Sequence, residues 1–225
     1  MLQQLDAELQ NIKSLKWLPW IGNEYLNVPN DNKFLIIGES HYGGTPEAIQ
    51  THENILFTRI AVNEFAVNRQ YYGKIKLYKN MHLALIGNDT FNTQSLWSKV
   101  CFYNFIQKTM DTNKGRPTDL DFSKSWETFF PLVEVLQPKV CLFMGLAACK
   151  SFEMAISKYG WKSSGLKQDT KIRRNYARTV TISNTNQSVE IIFIKHPSQY
   201  FSWTEWNKYL YSKIEFELEY LKKDM

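Results

Sequence analysis

Four apolar segments of strand length, separated by segments with helical periodicity, constrain the fold of this chain more than any other feature. They cover residues 34–38, 100–106, 140–144 and 189–194. Their apolar residues are mostly continuous rather than alternating, which is typical of strands that are covered on both faces. Strands that alternate with helices favour an α/β domain with a largely parallel sheet and right-handed crossovers.

Apolar residues recur at helical spacing before, between and after these strands. The predicted helices cover residues 1–17, 45–66, 123–136, 146–159 and 203–221. Pro131 lies inside one of them, so we expect that helix to kink or to begin near it. No repeat or linker divides the chain, and its length allows one hydrophobic core. We therefore predict a single α/β domain over residues 1–225, with a mainly parallel four-stranded sheet flanked by helices.

The net charge is concentrated in one segment. The whole chain has 27 Lys and Arg against 22 Asp and Glu, a formal net charge of +5. Residues 162–178 contain six basic residues and one acidic residue, so they also carry a net +5. A stretch of this kind indicates a phosphate-bearing partner, although a solvated loop is the more frequent explanation.

Targeting signals and metal-binding spacings are not recognisable. The N-terminal segment has acids among its apolar residues and neither the basic nor the apolar region of a signal peptide. The longest apolar runs are too short to cross a bilayer. Cys101, Cys141 and Cys149 lie in apolar segments without the close pairing of a zinc or redox site. We expect a cytoplasmic protein with buried thiols, no membrane association and no metal ion.

The ends of the predicted strands carry polar and glycine-rich residues. These are residues 38–44 (GESHYGG), Asn104, Gly145 and residues 195–198 (KHPS). In an open parallel sheet a ligand lies outside the carboxyl ends of the strands. Because three of these four ends are more polar or glycine-rich than packing requires, we expect a functional site there.

These strand ends resemble motifs of the uracil-DNA glycosylase superfamily. That family has a first-strand motif Gly-x-x-x-Tyr or Gly-Glu-x-Pro-Gly and a last-strand motif His-Pro-Ser, and the matching runs here are FLIIGESHYGG and IIFIKHPSQYFSW. Between them, Asn104 ends one strand, Arg116-Pro117 follows, and a Gly-x-x-Ala turn ends the next strand. The resemblance covers about residues 33–202. It implies a uracil-DNA glycosylase-like fold and hydrolysis of the N-glycosidic bond of uracil or another damaged base in DNA, without a cofactor.

The resemblance assigns roles to three strand-end residues. Cleavage of the bond develops positive charge on the sugar and negative charge on the departing base, so the site needs a carboxylate and a donor aimed at the base oxygen. Glu39 would orient or activate the water, and His196 would donate to the base carbonyl. Asn104 would read the edge of the extruded pyrimidine, because its amide both donates and accepts.

Three further first-loop residues would contact the base, and two of them depart from the family pattern. Many members have Asp or Asn at the position of Ser40, and most have Pro at the position of His41. Tyr42 matches the Tyr that blocks the methyl group of thymine. Gly38-Glu39-Ser40 is closer to the iron-sulfur members, but three scattered cysteines are too few for a four-cysteine cluster. A catalytically inactive nucleic-acid-binding or nucleotide-binding module of the same fold therefore remains an open alternative.

The predicted partner is DNA, single- or double-stranded, bound by a monomer. Ser198 would contact a flanking phosphate, and Tyr200 matches the wedge that fills the gap left by the flipped nucleotide. Lys171, Arg173 and Arg174 of the basic segment would contact the backbone.

Overall fold

An eight-stranded sheet forms the centre of the computed structural model, which describes residues 2–42, 51–110, 115–198 and 200–225. The strands are β1 (Trp20–Ile21), β2 (Phe34–Gly38), β3 (His41–Tyr42), β4 (Val100–Asn104), β5 (Thr109–Met110), β6 (Val140–Phe143), β7 (Lys162–Ser163), β8 (Lys167–Ile172), β9 (Asn175–Ser183) and β10 (Ser188–Phe193). In the large sheet the order is β1-β4-β2-β6-β10-β9-β7, and β8 pairs with β9. The short strands β3 and β5 pair with each other.

The four inner strands of the sheet coincide with the four apolar segments of the sequence. β2 is parallel to β4 and β6, and β6 is parallel to β10. The outer strands are antiparallel to their neighbours. The predicted α/β class is therefore confirmed, but the sheet has eight strands and not the predicted four.

The basic segment is a β-hairpin and not a loop. β8 and β9 hold three of its six basic residues, and the turn between them holds Arg173 and Arg174. Ile172 pairs with Asn175 across this turn. β8 exposes most of its residues, as an antiparallel strand at the edge of a sheet can. It therefore lacks the continuous apolar run that marks the inner strands.

Seven α-helices are described. They are α1 (Leu2–Gln10), α2 (Phe57–Val62), α3 (Lys76–Ile86), α4 (Thr93–Lys99), α5 (Asp119–Leu136), α6 (Phe152–Ile156) and α7 (Trp203–Lys222). A π-helical turn, Asn63–Val67, continues α2, and a 3-10 turn, Ala148–Ser151, precedes α6.

The helix predictions are confirmed for α5 and α7 and are less accurate elsewhere. α5 begins at Asp119 and contains Pro131, so the helix does not begin at the proline. The predicted helix 146–159 is limited to one 3-10 turn and α6, and the first helix ends at Gln10. α3 and α4 were not predicted. Residues 45–50 of the predicted helix 45–66 lie outside the described residues.

Helices cover both faces of the sheet. Leu35 and Ile37 of β2 belong to one buried cluster with Trp126 of α5, whereas Phe34 and Ile36 belong to a second cluster. That second cluster contains Met81, Trp97 and Trp206 from α3, α4 and α7. Alternate residues of a strand point to opposite faces, which explains why the inner strands are apolar throughout. None of the helices described here is long and apolar enough to cross a membrane.

Candidate active site

Backbone pairing fixes the first loop against the end of β4. Gly38 pairs with Asn104, and beyond this pair the Phe105 and Ile106 N–H groups donate to the carbonyls of Gly38 and Glu39, each at 2.9 Å. The pairing therefore continues past the ends of both strands. It holds Glu39 and Asn104 on neighbouring strand ends, as the sequence predicts.

Gly38 is needed because the Asn104 side chain lies directly against it. A Cβ atom at Gly38 would be 2.1 Å from Asn104 Oδ1 and 2.9 Å from Cζ of Phe102. Real Cβ atoms do not approach other atoms so closely. The glycine thus allows the amide of Asn104, which is only 5% exposed, to pack at the carboxyl edge of the sheet.

A narrow apolar cleft adjoins Glu39. Its walls include Gly38, Glu39, Phe105, Phe143 and Gly145. The space inside is about 10 Å³, which is enough for one water molecule. A pyrimidine would require the cleft to widen. Gly43 and Gly44 of the first loop lie outside the described residues.

Tyr42 and Arg116 form a chain of hydrogen bonds to Glu39. The Tyr42 hydroxyl donates to Glu39 Oε1 over 3.4 Å, and Arg116 donates to the Tyr42 hydroxyl over 3.1 Å. Burial raises the pKa of Glu39, while the Arg116 charge and the Tyr42 hydrogen bond oppose that rise. The carboxyl group is thus held in a partly desolvated position with one cation nearby.

His196 follows β10 and is an uncharged imidazole at neutral pH. Burial lowers its pKa to about 4, and the positive charge of Arg116 acts in the same direction. One guanidinium therefore influences Glu39, Tyr42 and His196 together. The Arg116-Pro117 motif is visible in the sequence, but the sequence alone assigns no role to the arginine.

His41 has a packing role that the sequence did not reveal, and its contact with a base stays a prediction. Its Nε2 lies 2.9 Å from the Thr58 hydroxyl, and its ring contacts those of Trp17 and Phe57 at centroid distances of 5.0 and 4.5 Å. Burial lowers the pKa of His41 to about 3. The His41 ring therefore packs in an aromatic cluster with Trp17 and Phe57.

Ser40 lies between these two environments. Its hydroxyl is buried and has no hydrogen-bond partner among the described residues. A hydroxyl in this state can accept or donate a hydrogen bond to an incoming group. Ser40 is therefore compatible with a contact to a bound molecule, although it cannot act as a carboxylate base.

The loop after β10 is fixed by α3 and presents one tyrosine to solvent. The Asn80 side-chain amide donates to the carbonyls of Pro197 and Ser198, each at 3.1 Å. Tyr200 has a φ of +56° and is 87% exposed. Phe201 instead stacks on Trp206, with a centroid distance of 6.0 Å. The tyrosine is therefore the more exposed residue of this pair.

A basic groove joins this loop to the β8–β9 hairpin. It has a volume of about 500 Å³, and its walls include Arg173, Arg174, Lys195 and Tyr200. Three of the predicted DNA contacts, Arg173, Arg174 and Tyr200, thus come together. Lys171 does not line this groove, and its ammonium group lies 5.6 Å from the ring centre of Tyr176.

A larger cavity lies away from the carboxyl strand ends. It measures about 680 Å³ and is bordered by Trp20, Asn23, Trp97 and Lys99, next to the start of β4. Ligands of open parallel sheets bind at the opposite ends of the strands. We therefore base the candidate active site on the chemistry around Glu39 and not on cavity size.

Comparisons with known proteins do not identify this site. No protein-family model matches the chain, and no curated protein matches it closely enough to count as a relative. Across the ranges that the structure describes, no three His, Cys, Asp or Glu side chains are grouped as a metal site requires.

Proposed function

We propose that this chain is a divergent uracil-DNA glycosylase-like protein that hydrolyses the N-glycosidic bond of uracil or another damaged base in DNA. One observation carries the proposal: a partly buried carboxylate, Glu39, and an uncharged imidazole, His196, share the influence of Arg116 at the carboxyl edge of parallel strands. This edge is where α/β proteins bind their ligands.

In the proposed reaction Glu39 acts on water. The carboxylate orients a water molecule toward C1′ of the sugar and stabilises the positive charge that develops there. The water oxygen bonds to C1′ and passes a proton to the Glu39 carboxylate, while the electrons of the C1′–N bond leave with the base, which takes up a proton after its release. The Glu39 carboxylate borders the cleft of about 10 Å³, a space that holds at most one water molecule.

His196 would act on the departing base. An uncharged imidazole still carries one N–H donor, which can bind the base oxygen as negative charge accumulates. Its lowered pKa, about 4, keeps this form dominant at neutral pH. Asn104 would bind the edge of the base, and Tyr42 would stand against its 5-position.

A catalytically inactive DNA-binding module of the same fold is the second candidate. Two observations favour it: Ser40 replaces a carboxylate or amide, and the cleft beside Glu39 admits only a water molecule. Both candidates use the DNA contacts of Ser198, Tyr200, Lys171, Arg173 and Arg174. They differ only in turnover.

Base release from uracil-containing oligonucleotides tests the proposal. Single-turnover rates would be measured on single- and double-stranded DNA for the wild type, Glu39→Gln and His196→Ala. We expect each substitution to slow release by about 100-fold or more, the usual contribution of a positioned acid-base group or oxyanion donor. Glu127→Gln, an exposed acid on α5, is the matched control and should retain the wild-type rate.

The two candidates predict different outcomes. Release of uracil that depends on Glu39 supports the glycosylase. DNA binding without release of uracil, hypoxanthine or mismatched bases would remove the enzyme proposal and leave the inactive module.

A further inference from the structure

We propose that the groove between the β8–β9 hairpin and the loop after β10 holds a single-stranded DNA segment that flanks the reacting nucleotide. Arg174 and Lys195 would bind its phosphates, and Tyr200 would stack on one of its bases. The choice of DNA rests on the proposed function. The groove itself is defined by residues that the candidate active site does not use for chemistry.

Arg173 and Arg174 lie in the turn between β8 and β9, and strand pairing and packing hold this turn in place. Ile172, which precedes them, is buried in the same core cluster as Trp206 of α7. Ile172 and Asn175 pair across the turn, and Arg173 takes a left-handed backbone conformation with a φ of +55°. The hairpin therefore presents two adjacent guanidinium groups without a flexible arm.

The opposite wall of the groove is also held in place. Lys195 Nζ donates to the Tyr200 carbonyl over 2.6 Å, and the neighbouring Phe201 packs on Trp206. Tyr200 is thus fixed through its backbone while the residue stays 87% exposed. An exposed aromatic ring in a defined position can stack on a base of any identity.

The charge of the groove suits a phosphodiester. Arg173, Arg174 and Lys195 line it, and no acidic residue is among its lining residues. Glu205 lies outside and binds the Arg173 Nε over 2.6 Å. Within the described part of the chain, Arg174 has no ion-pair partner, so its guanidinium is available to a phosphate.

Glu205 limits the positive charge that the groove offers. Hydrogen bonds from Ser202 and then from Arg173 lower the pKa of its carboxyl group, so it is ionised at neutral pH. Its negative charge neutralises that of Arg173 and would repel a phosphate. Removal of this charge should therefore strengthen DNA binding.

The shape of the groove favours a single strand. Its volume of about 500 Å³ is in the range of small-molecule pockets, so it holds only a short part of a nucleic acid. Stacking on Tyr200 also requires a base that is not already stacked between two neighbours in a duplex. An extended strand can lay its phosphates along the cationic wall and one base on the ring.

Fluorescence anisotropy with a labelled oligothymidylate tests the assignment. We expect Tyr200→Ala to weaken binding about tenfold, within the range measured for base-aromatic contacts. Arg174→Ala and Lys195→Ala should weaken binding and lower the slope of log K against log salt by about 0.7 each, the value for one phosphate contact on a single strand. Glu205→Gln should tighten binding.

The matched control is Lys167→Ala, which removes an exposed lysine from the same hairpin outside the groove. It should bind as the wild type does. A duplex of the same length should bind more weakly than the oligothymidylate. Equal affinity for the duplex, or unchanged affinity in Arg174→Ala and Tyr200→Ala, would overturn the assignment.

Base release, measured separately on the wild type, distinguishes this inference from the proposed function. If the protein releases uracil while the groove variants bind single strands normally, only the groove assignment fails. If single strands bind through the groove and no base is released, only the glycosylase proposal fails.

Discussion

The positive charge of Arg116 favours the charged form of Glu39 and the uncharged form of His196, the two groups to which we assign the chemistry. A positive charge favours the ionised form of a carboxyl group and disfavours the ionised form of an imidazole. Glu39 and His196 are both affected by Arg116. The arginine therefore favours a carboxylate and an uncharged imidazole at the same pH.

Substitution of Arg116 by Gln should raise the pKa of both groups. The pKa of His196 should rise above its wild-type value of about 4, because the unfavourable charge is removed. The pKa of Glu39 should rise further, because the favourable charge is removed. NMR titration of the His196 ring protons measures the first shift, and the acidic limb of the base-release profile should move to higher pH.

Lys158→Gln, an exposed site on the turn after α6, is the control. A titration curve identical to the wild type would contradict this role.

A methyl group at Gly38 should disturb both the stability and the site. Gly38→Ala would place its Cβ against Asn104 Oδ1 at 2.1 Å, so the amide must move. We expect a loss of about 1–3 kcal/mol in the free energy of unfolding, as for other overpacked positions. Urea denaturation measures it.

Gly73 provides the matched control for this substitution. A Cβ atom there would meet no atom within 4 Å. Gly73→Ala should change stability by no more than about 1 kcal/mol, and in the stabilising direction. Equal effects at the two glycines would show that the close approach at Gly38 is not responsible.

At the scale of elements, the start of α5 determines where Arg116 lies. Thr118 and Asp121 form a capping box, in which the Thr118 hydroxyl accepts from the Asp121 N–H and the Asp121 carboxylate accepts from the Thr118 N–H. Burial alone would raise the pKa of Asp121, but hydrogen bonds from Thr118 and Lys108 outweigh it and lower the pKa. The cap fixes the backbone two residues after Arg116.

Removal of the cap should destabilise the helix and loosen the site. Thr118→Ala should reduce the free energy of unfolding by about 1 kcal/mol, the typical value for an N-cap. Thr118→Ser keeps the hydroxyl and should be close to the wild type. Ser123→Ala, farther along α5, should change stability by less than about 0.5 kcal/mol. Thermal unfolding followed by circular dichroism compares the three, and equal losses in the threonine variants would contradict the capping role.

Considered as a whole, the molecule buries several histidines in the uncharged form. His82 accepts a hydrogen bond from the Trp97 indole over 3.0 Å and lies 3.0 Å from the Tyr72 hydroxyl. Burial lowers the pKa of His82 and of His41 to about 3, and that of His196 to about 4. Unfolding exposes these rings to water, where their pKa is about 6.5.

Acid should therefore destabilise the fold before its carboxylates titrate. Well above pH 6.5 the rings are uncharged in both the folded and the unfolded state, so their contribution to stability is fully present. As the pH falls from about 6.5 toward 4, the unfolded state takes up protons first and the free energy of unfolding falls. Each ring should contribute on the order of 2 kcal/mol to this loss by about pH 5.

Urea denaturation at a series of pH values measures this loss. His82→Gln should flatten the pH dependence, whatever its effect on stability at neutral pH. A free energy of unfolding that stays constant between about pH 6.5 and 4.5 would show that the histidines are not buried in the uncharged form.

The accuracy of the sequence predictions follows the burial of each element. The four inner strands and the helices α5 and α7 were recognisable because their apolar residues form continuous runs or a regular helical spacing. β8 was not recognisable, because an exposed edge strand has a mostly polar sequence. No local pattern separates such a strand from a solvated loop.

The sequence by itself determined the α/β class and placed Glu39, Asn104 and His196 at strand ends, because residues next to buried apolar runs are fixed by local pattern. Only the tertiary structure decided that Arg116 acts on two of them, that His41 turns into the core, and that Arg174 and Tyr200 share one groove. The partners in each case are far apart in the chain. They meet only when the helices and the hairpin pack on the sheet, and periodicity carries no information about such distances.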